Sequence, residues 1–305
     1  MRILCAVDGS EYSRWGVQTL EALAEQEPDQ VTLVHVIDRT TVQRAKRKRP
    51  SVGMQALKAM EKAGHLILRE AERSAKVALG QAVTGPRTSL RPVLAYGPIA
   101  PTIVEQARRW NADLILMGSR GLSDIKGFLL GSTSRRVALL ASCSLLVVKQ
   151  PLSAFRRVTL AIDDSRPSRV AAQFVRSQVL SDSATVTILS SAESPVSDLA
   201  ARYLSAAQIS ALMQPVIDQT TRLVTSFRDD FVNEGRTATT KVHMDHVIDT
   251  IIKSVEADRS DLLVVGSRRL TKSERLHLGS VSESLLRHAP CSVLIVRGTG
   301  GVVSR

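Results

Sequence analysis

The run Asp113-Leu-Ile-Leu-Met-Gly118-Ser-Arg-Gly121, followed after nine intervening residues by Gly131-Ser132-Thr133, reads as a buried strand, a glycine loop and a helix start. Glycines let backbone N–H groups approach an anion closely, and a Gly-Ser-Thr at a helix N-terminus points further N–H groups at the same place. The spacing therefore suits a phosphate cradle, with plain turn chemistry as the alternative. The pattern recurs 148 residues later as Gly266-Ser-Arg-Arg269 and Gly279-Ser280, with the second glycine replaced by Arg269.

Working outward, the same spacing relates Asp113 to Asp261 and Cys143 to Cys291. Near the start, Arg2-Ile-Leu-Cys-Ala-Val-Asp8 matches Arg157-Val-Thr-Leu-Ala-Ile-Asp163 at a separation of 155. A repeat this long means duplicated domains, not a solenoid. The expected domains are 1–150, with the intact glycine motif, and 156–298, with a degenerate one, joined by a linker at 150–155. In the first, strands are expected near 2–7, 31–37, 90–95, 113–117 and 144–149, with helices near 13–25, 53–80, 99–110 and 132–142. The second should carry strands near 157–162, 184–190, 238–244, 261–265 and 291–297, and helices near 167–179, 205–233, 247–257 and 280–289.

Alternating apolar strands and amphipathic helices place the chain in the α/β class. The expected fold is two tandem Rossmann-like domains, each a five-stranded parallel sheet with helices on both faces. Ligands of such sheets sit beyond the carboxyl ends of the strands, where the winding reverses. Asp8 ends the first strand and Gly118 follows the fourth, so adjacency of those strands would put both in one crevice. The fifth strands, Ser144–Lys149 and Ser292–Arg297, would each leave a flat apolar edge. Pairing of the two edges as a pseudo-dimer would cover both.

Composition narrows the classes. The 305 residues are 44% hydrophobic but only 3% aromatic, so the core is built from Val, Ile, Leu and Ala. The net charge is +12, and residues 1–152 carry 22 Lys and Arg against 13 Asp and Glu, whereas 153–305 carry 19 against 16. Part of the excess is the run Arg44-Ala-Lys-Arg-Lys-Arg49. It reads as a solvated loop or as a contact for phosphate or an acidic partner; without interleaved aromatics it argues little for nucleic acid. Nothing after Arg2 resembles a leader, and the stretch Val137–Val148 is too short to span a bilayer, so a cytoplasmic chain with no membrane association is expected. Cys5, Cys143 and Cys291 lack metal-ligand or redox spacing and read as buried thiols. The six histidines form no HExxH, and His243 with His246 reads as local packing; no metal site is expected. No Walker loop, dinucleotide fingerprint or Gly-x-Ser-x-Gly elbow occurs, and no catalytic residue is assigned.

Taken together, Val7-Asp-Gly-Ser10, Val34-His-Val36, Gly97-Pro98, Gly118-Ser-Arg-Gly121, Gly131-Ser-Thr133 and Cys143-Ser-Leu-Leu-Val-Val148 resemble the universal stress protein family, as a tandem two-domain member. The resemblance implies ATP binding, with Mg2+ as an accompanying ion, and dimer-like packing through the last strands, with a homodimer of chains also open. By that resemblance Asp8 looks like the acid near the adenosine, with a turn acid as the alternative, and Val36 like a backbone contact to adenine. Gly118, Gly121, Gly131, Ser132 and Thr133 look like the ribose and phosphate loop, with Arg120 and Lys126 as charge partners. Asp163, Gly266, Gly279 and Ser280 would form a second nucleotide site, in which Ser191 stands for Val36. The expected function is a stress-response regulator acting through nucleotide-dependent conformation or partner binding, with slow ATP hydrolysis at most. A nucleotide-independent scaffold and a weak adenine-nucleotide hydrolase are the alternatives.

Overall fold

The computed structural model describes residues 1–24, 28, 30–38, 50–80, 88–122, 130–197, 199, 202–244, 246–267 and 279–298. The basic run 44–49, Lys126, Arg268 and Arg269 lie outside these residues. The first half contains strands β1 (Arg2–Ala6), β2 (Gln30–Ile37), β3 (Ser89–Tyr96), β4 (Leu114–Gly118) and β5 (Ser144–Val148). Its helices are α1 (Glu11–Gln18), α2 (Leu20–Ala24), α3 (Pro50–Leu79), α4 (Ile99–Arg109) and α5 (Ser132–Leu140). The second half contains β6 (Arg157–Ala161), β7 (Thr185–Ser191), β8 (Thr237–His243), β9 (Leu262–Ser267) and β10 (Ser292–Arg297). Its helices are α6 (Arg166–Gln178), α7 (Ala206–Asn233), α8 (Val247–Ala257) and α9 (Ser280–His288).

All ten strands form one sheet in the order β3-β2-β1-β4-β5-β10-β9-β6-β7-β8. Each half is parallel internally, and the halves meet at an antiparallel β5–β10 pair. Leu146 lies opposite Leu294, its own counterpart in the repeat, so a pseudo-twofold axis passes between them. The two apolar edges thus cover one another, and the pairing expected from their sequences is present. Leu146 and Val148 face one core with Leu294 and Val296, whereas Leu145 and Val147 face the other with Val293 and Ile295. Alternation along a strand feeds both faces, so each core runs through both halves without a break.

Polar side chains repeat the symmetry. Lys149 Nζ donates to the Ala289 carbonyl at the end of α9 at 2.5 Å, and Arg297 donates to Ala141 and Ala138 carbonyls at the end of α5. Each half therefore supplies a cation to the C-terminus of the other half's last helix, where the aligned peptide dipoles favour positive charge. Ser292 Oγ accepts from Lys149 N and Ser144 Oγ from Arg297 N. Burial, and to a lesser degree Arg120, pushes the Lys149 ammonium down to about 8. The linker is anchored too, since Phe155 is buried in the shared core.

One expectation fails locally. The helix expected over 13–25 is two helices: α1 ends at Thr19, its C-cap, whose hydroxyl donates to the Trp15 carbonyl at 2.8 Å, and α2 starts at Leu20. Such a bond back to the preceding turn weakens a helix slightly and often bends it.

Candidate functional site

β1 and β4 are neighbours, with β1 at the reversal of strand order in the first half. Beyond their carboxyl ends opens a cavity of about 370 Å³. Its wall brings together Asp8, Val36, Gly118, Arg120, Gly121 and Thr133, six of the eight described residues expected there. Gly131 and Ser132 are not in the wall; they form the cap and first residue of α5, directly before Thr133.

The loops are held by a dense set of hydrogen bonds. The Asp8 carboxylate accepts from Ser10 N at 2.9 Å and from Leu122 N at 3.2 Å, so it ties the β1 loop to the loop after β4. Gly9, at φ +82°, takes the left-handed turn between them. Ser10 Oγ caps α1 through Ser13 N. Ser134 Oγ donates towards the carbonyls of Gly118 and Ser119, and Gly131 N donates to Ser119 O, which fixes the start of α5 against the strand end. Arg120 lies over the Tyr12 ring, its guanidinium carbon 5.3 Å from the centroid, and its Nε is buried without a hydrogen-bond partner. Gly131 caps α5 with no side-chain hydrogen bond to the helix's free N–H groups.

Gly118 has a packing role. A Cβ there would lie 2.5 Å from the Tyr12 carbonyl carbon and 2.6 Å from its oxygen. Gly266 stands in the same relation to Pro167, so both glycines let the first helix of a half cross the end of its fourth strand.

Several wall residues escaped the sequence reading. Ile67, Ala63 and Met60 of α3 roof the cavity, and Ile99, Ile103 and Met117 make it apolar. Nothing in the sequence tells which turn of a thirty-residue helix covers the site. Ser134 had a readable signal: Ser282 holds the equivalent place in the second half, and both are buried. His35 Nδ1 lies 2.8 Å from Val7 O and therefore carries the hydrogen.

In the second half, Asp163 lines an open cleft of about 480 Å³ with Asp164, Ser190, Ser191 and residues of α7. Gly266, Gly279 and Ser280 are not in that cleft. Asp163 Oδ1 accepts from the hydroxyls of Ser165 and Ser168, the latter at 2.5 Å. Ser190 Oγ donates to Ile162 O at 2.9 Å, the bond that His35 makes to Val7 in the first half.

Cys5, Cys143 and Cys291 are buried, and burial pushes their thiols up to about 12, 11 and 12. No group of three or more His, Cys, Asp or Glu able to hold a metal occurs among the described residues. No helix among them is long and apolar enough to cross a membrane.

The sequence profile of the universal stress protein family matches residues 1–149 and again 154–297. The chain belongs to the universal stress protein family. It is a tandem member, carrying the family unit twice. A Staphylococcus epidermidis relative is 31% identical over 148 residues, spanning 48% of this chain and 82% of its own length. The universal stress protein YxiE of Bacillus subtilis is 28% identical over 153 residues, 48% of this chain and 98% of its own. A universal stress protein from Archaeoglobus fulgidus shares the fold over 97% of this chain and 98% of its own, with a TM-score of 0.65 at 21% identity.

Proposed function

We propose that the first half of this universal stress protein binds an adenine nucleotide, ATP with Mg2+, and that occupancy sets conformation or partner binding in a cytoplasmic stress response. The supporting observation is the convergence of Asp8, Val36, Gly118, Arg120, Gly121 and Thr133 on one cavity beside the start of α5. Its volume, about 370 Å³, falls in the range of small-molecule sites.

The residues fit such a ligand. An apolar wall of Ile99, Ile103 and Met117, with the β2 backbone at Val36, would take the base. Asp8, already organising two loops, has the chemistry to accept from ribose hydroxyls. The uncapped start of α5, with Gly131, Ser132 and Thr133, and the unpartnered Nε of Arg120 would take the phosphates. Mg2+ would arrive on the bound triphosphate. No residue is assigned to hydrolysis.

Equilibrium dialysis of ATP against wild type and Asp8→Ala tests the reading. Binding should weaken about tenfold, because one carboxylate both shapes the loops and meets the ligand. Equal affinity in a folded variant would remove Asp8 from the site.

A further inference from the structure

The two halves differ in the groove between their first helix and their long one. The cleft roofs set the register of the long helices. Met60, Ala63 and Ile67 of α3 line the first cavity, and Val216, Gln219 and Leu223 of α7, each 156 residues on, line the second cleft. The caps set the register of the first helices: Ser10 accepts from Ser13 N before α1, and Ser165 from Ser168 N before α6, 155 residues on. In these registers Arg14 corresponds to Arg169, and Ala71 to Phe227.

Phe227 is buried in the shared core, and the Arg169 guanidinium carbon lies 5.7 Å from the centre of its ring, within cation–π reach. The first half keeps the arginine and lacks the ring. Arg14 lines a cavity of about 300 Å³ between α1 and α3, with Val17, Ile67 and Ala71 as apolar wall and Arg73 and Glu70 as its other charged residues. One turn further along, Arg176 lies over the Phe231 ring at 5.6 Å, but the first half has Glu21 and Ala75 in their places. An arginine without its ring therefore marks the cavity at Ala71.

We propose that this cavity binds a small aromatic carboxylate. The ring rests on Val17, Ile67 and Ala71 below Arg14, in the place that Phe227 takes below Arg169, and the carboxylate meets Arg14 and Arg73. A guanidinium suits both parts, since it is attracted to the face of a ring and pairs with a carboxylate. Two arginines against Glu70 leave a surplus of one positive charge, which matches a monoanion. A cavity of about 150 Å³ holds benzene, so the volume here takes one ring and a short acidic arm. Ser13 and Ile67 line the first cavity as well, yet binding of the aromatic acid requires no nucleotide there.

The probe is 3-phenylpropionate, titrated without nucleotide into the full chain and followed by NMR of the Val17 and Ile67 methyl groups. Both signals should move on one saturable curve with a Kd of about 1 mM, the order expected for about eleven non-hydrogen atoms. Hexanoate, which lacks the ring, and 3-phenylpropan-1-ol, which lacks the charge, should each bind about three- to tenfold more weakly. Ala71→Phe places the second half's ring in the cavity and should weaken the probe at least about tenfold. If that variant fails to fold, the three compounds on wild type decide alone. Either control compound binding as tightly as the probe would overturn the inference. So would undiminished binding to folded Ala71→Phe, or no saturable shift at concentrations about twentyfold above that Kd. None of these results touches the nucleotide reading, which is measured separately with ATP.

Discussion

At the scale of single residues, glycines that look alike in sequence do different work. Gly118 and Gly266 belong to both copies because the helix backbone passes within 2.5–2.6 Å of where a Cβ would be. Gly118→Ala should therefore cost about 1–3 kcal/mol in denaturant unfolding whether or not ligand is present. Gly131 has an ordinary φ of −73°, so its backbone does not require glycine. Gly131→Val should leave the fold near wild-type stability while weakening ATP binding, and undiminished affinity in calorimetry would contradict the cradle assignment. The sequence motif marked both glycines, but only the path of α1 separates packing from ligand approach. Lys149 makes a prediction of its own. Its folded value of about 8 lies below the ordinary 10.5, so between those values the unfolded chain holds more protons and stability rises with pH. The three buried thiols act oppositely above about 9, their ordinary value, since only the unfolded chain ionises them there. The Lys149 contribution is thus read as a difference: Lys149→Met should show less gain, or a steeper loss, between pH 8 and 10.5 than wild type in urea titrations.

At the scale of elements, the sequence located every strand of the sheet to within a residue or two; the inner strands are apolar on both sides, whereas the edge strands β3 and β8 are half polar. The break at Thr19 was not legible: threonine is compatible with a helix, and Thr220 makes the same bond to Val216 O inside α7 without ending it. The site was legible where backbone motifs carry it, at Asp8, Gly118, Gly121 and Thr133. It was not legible in α3, whose roof residues Met60, Ala63 and Ile67 differ from the rest of the helix only in where the helix lies. Ile67 lines the cavity and would also meet a Cβ on Gly9 at 3.1 Å, so it couples roof to loop. Ile67 is half-buried, so Ile67→Ala should enlarge the cavity and cost about 1–2 kcal/mol in thermal or denaturant unfolding. A loss below about 0.5 kcal/mol would mean that α3 does not pack on the β1 loop as described.

At the scale of the whole molecule, duplication followed by edge-to-edge pairing turns two sheets into one, and the two cores become continuous through β5 and β10. Heat should therefore unfold both halves in one cooperative transition, and Leu294→Asp, which buries a carboxylate on the pseudo-twofold axis, should split it in calorimetry. A single unchanged transition in that variant would show that the strand pair does not couple the halves. The repeat in the sequence made the two units and their paired edges readable. The ion pair of Arg135 with Glu283 across the axis was not, because it joins residues far apart in the chain. The most direct test of the central claim is calorimetric titration of ATP with Mg2+ into nucleotide-stripped protein of proven fold. Saturation at one ATP per chain is the predicted result; absence of binding would contradict the claim that the first cavity is a nucleotide site.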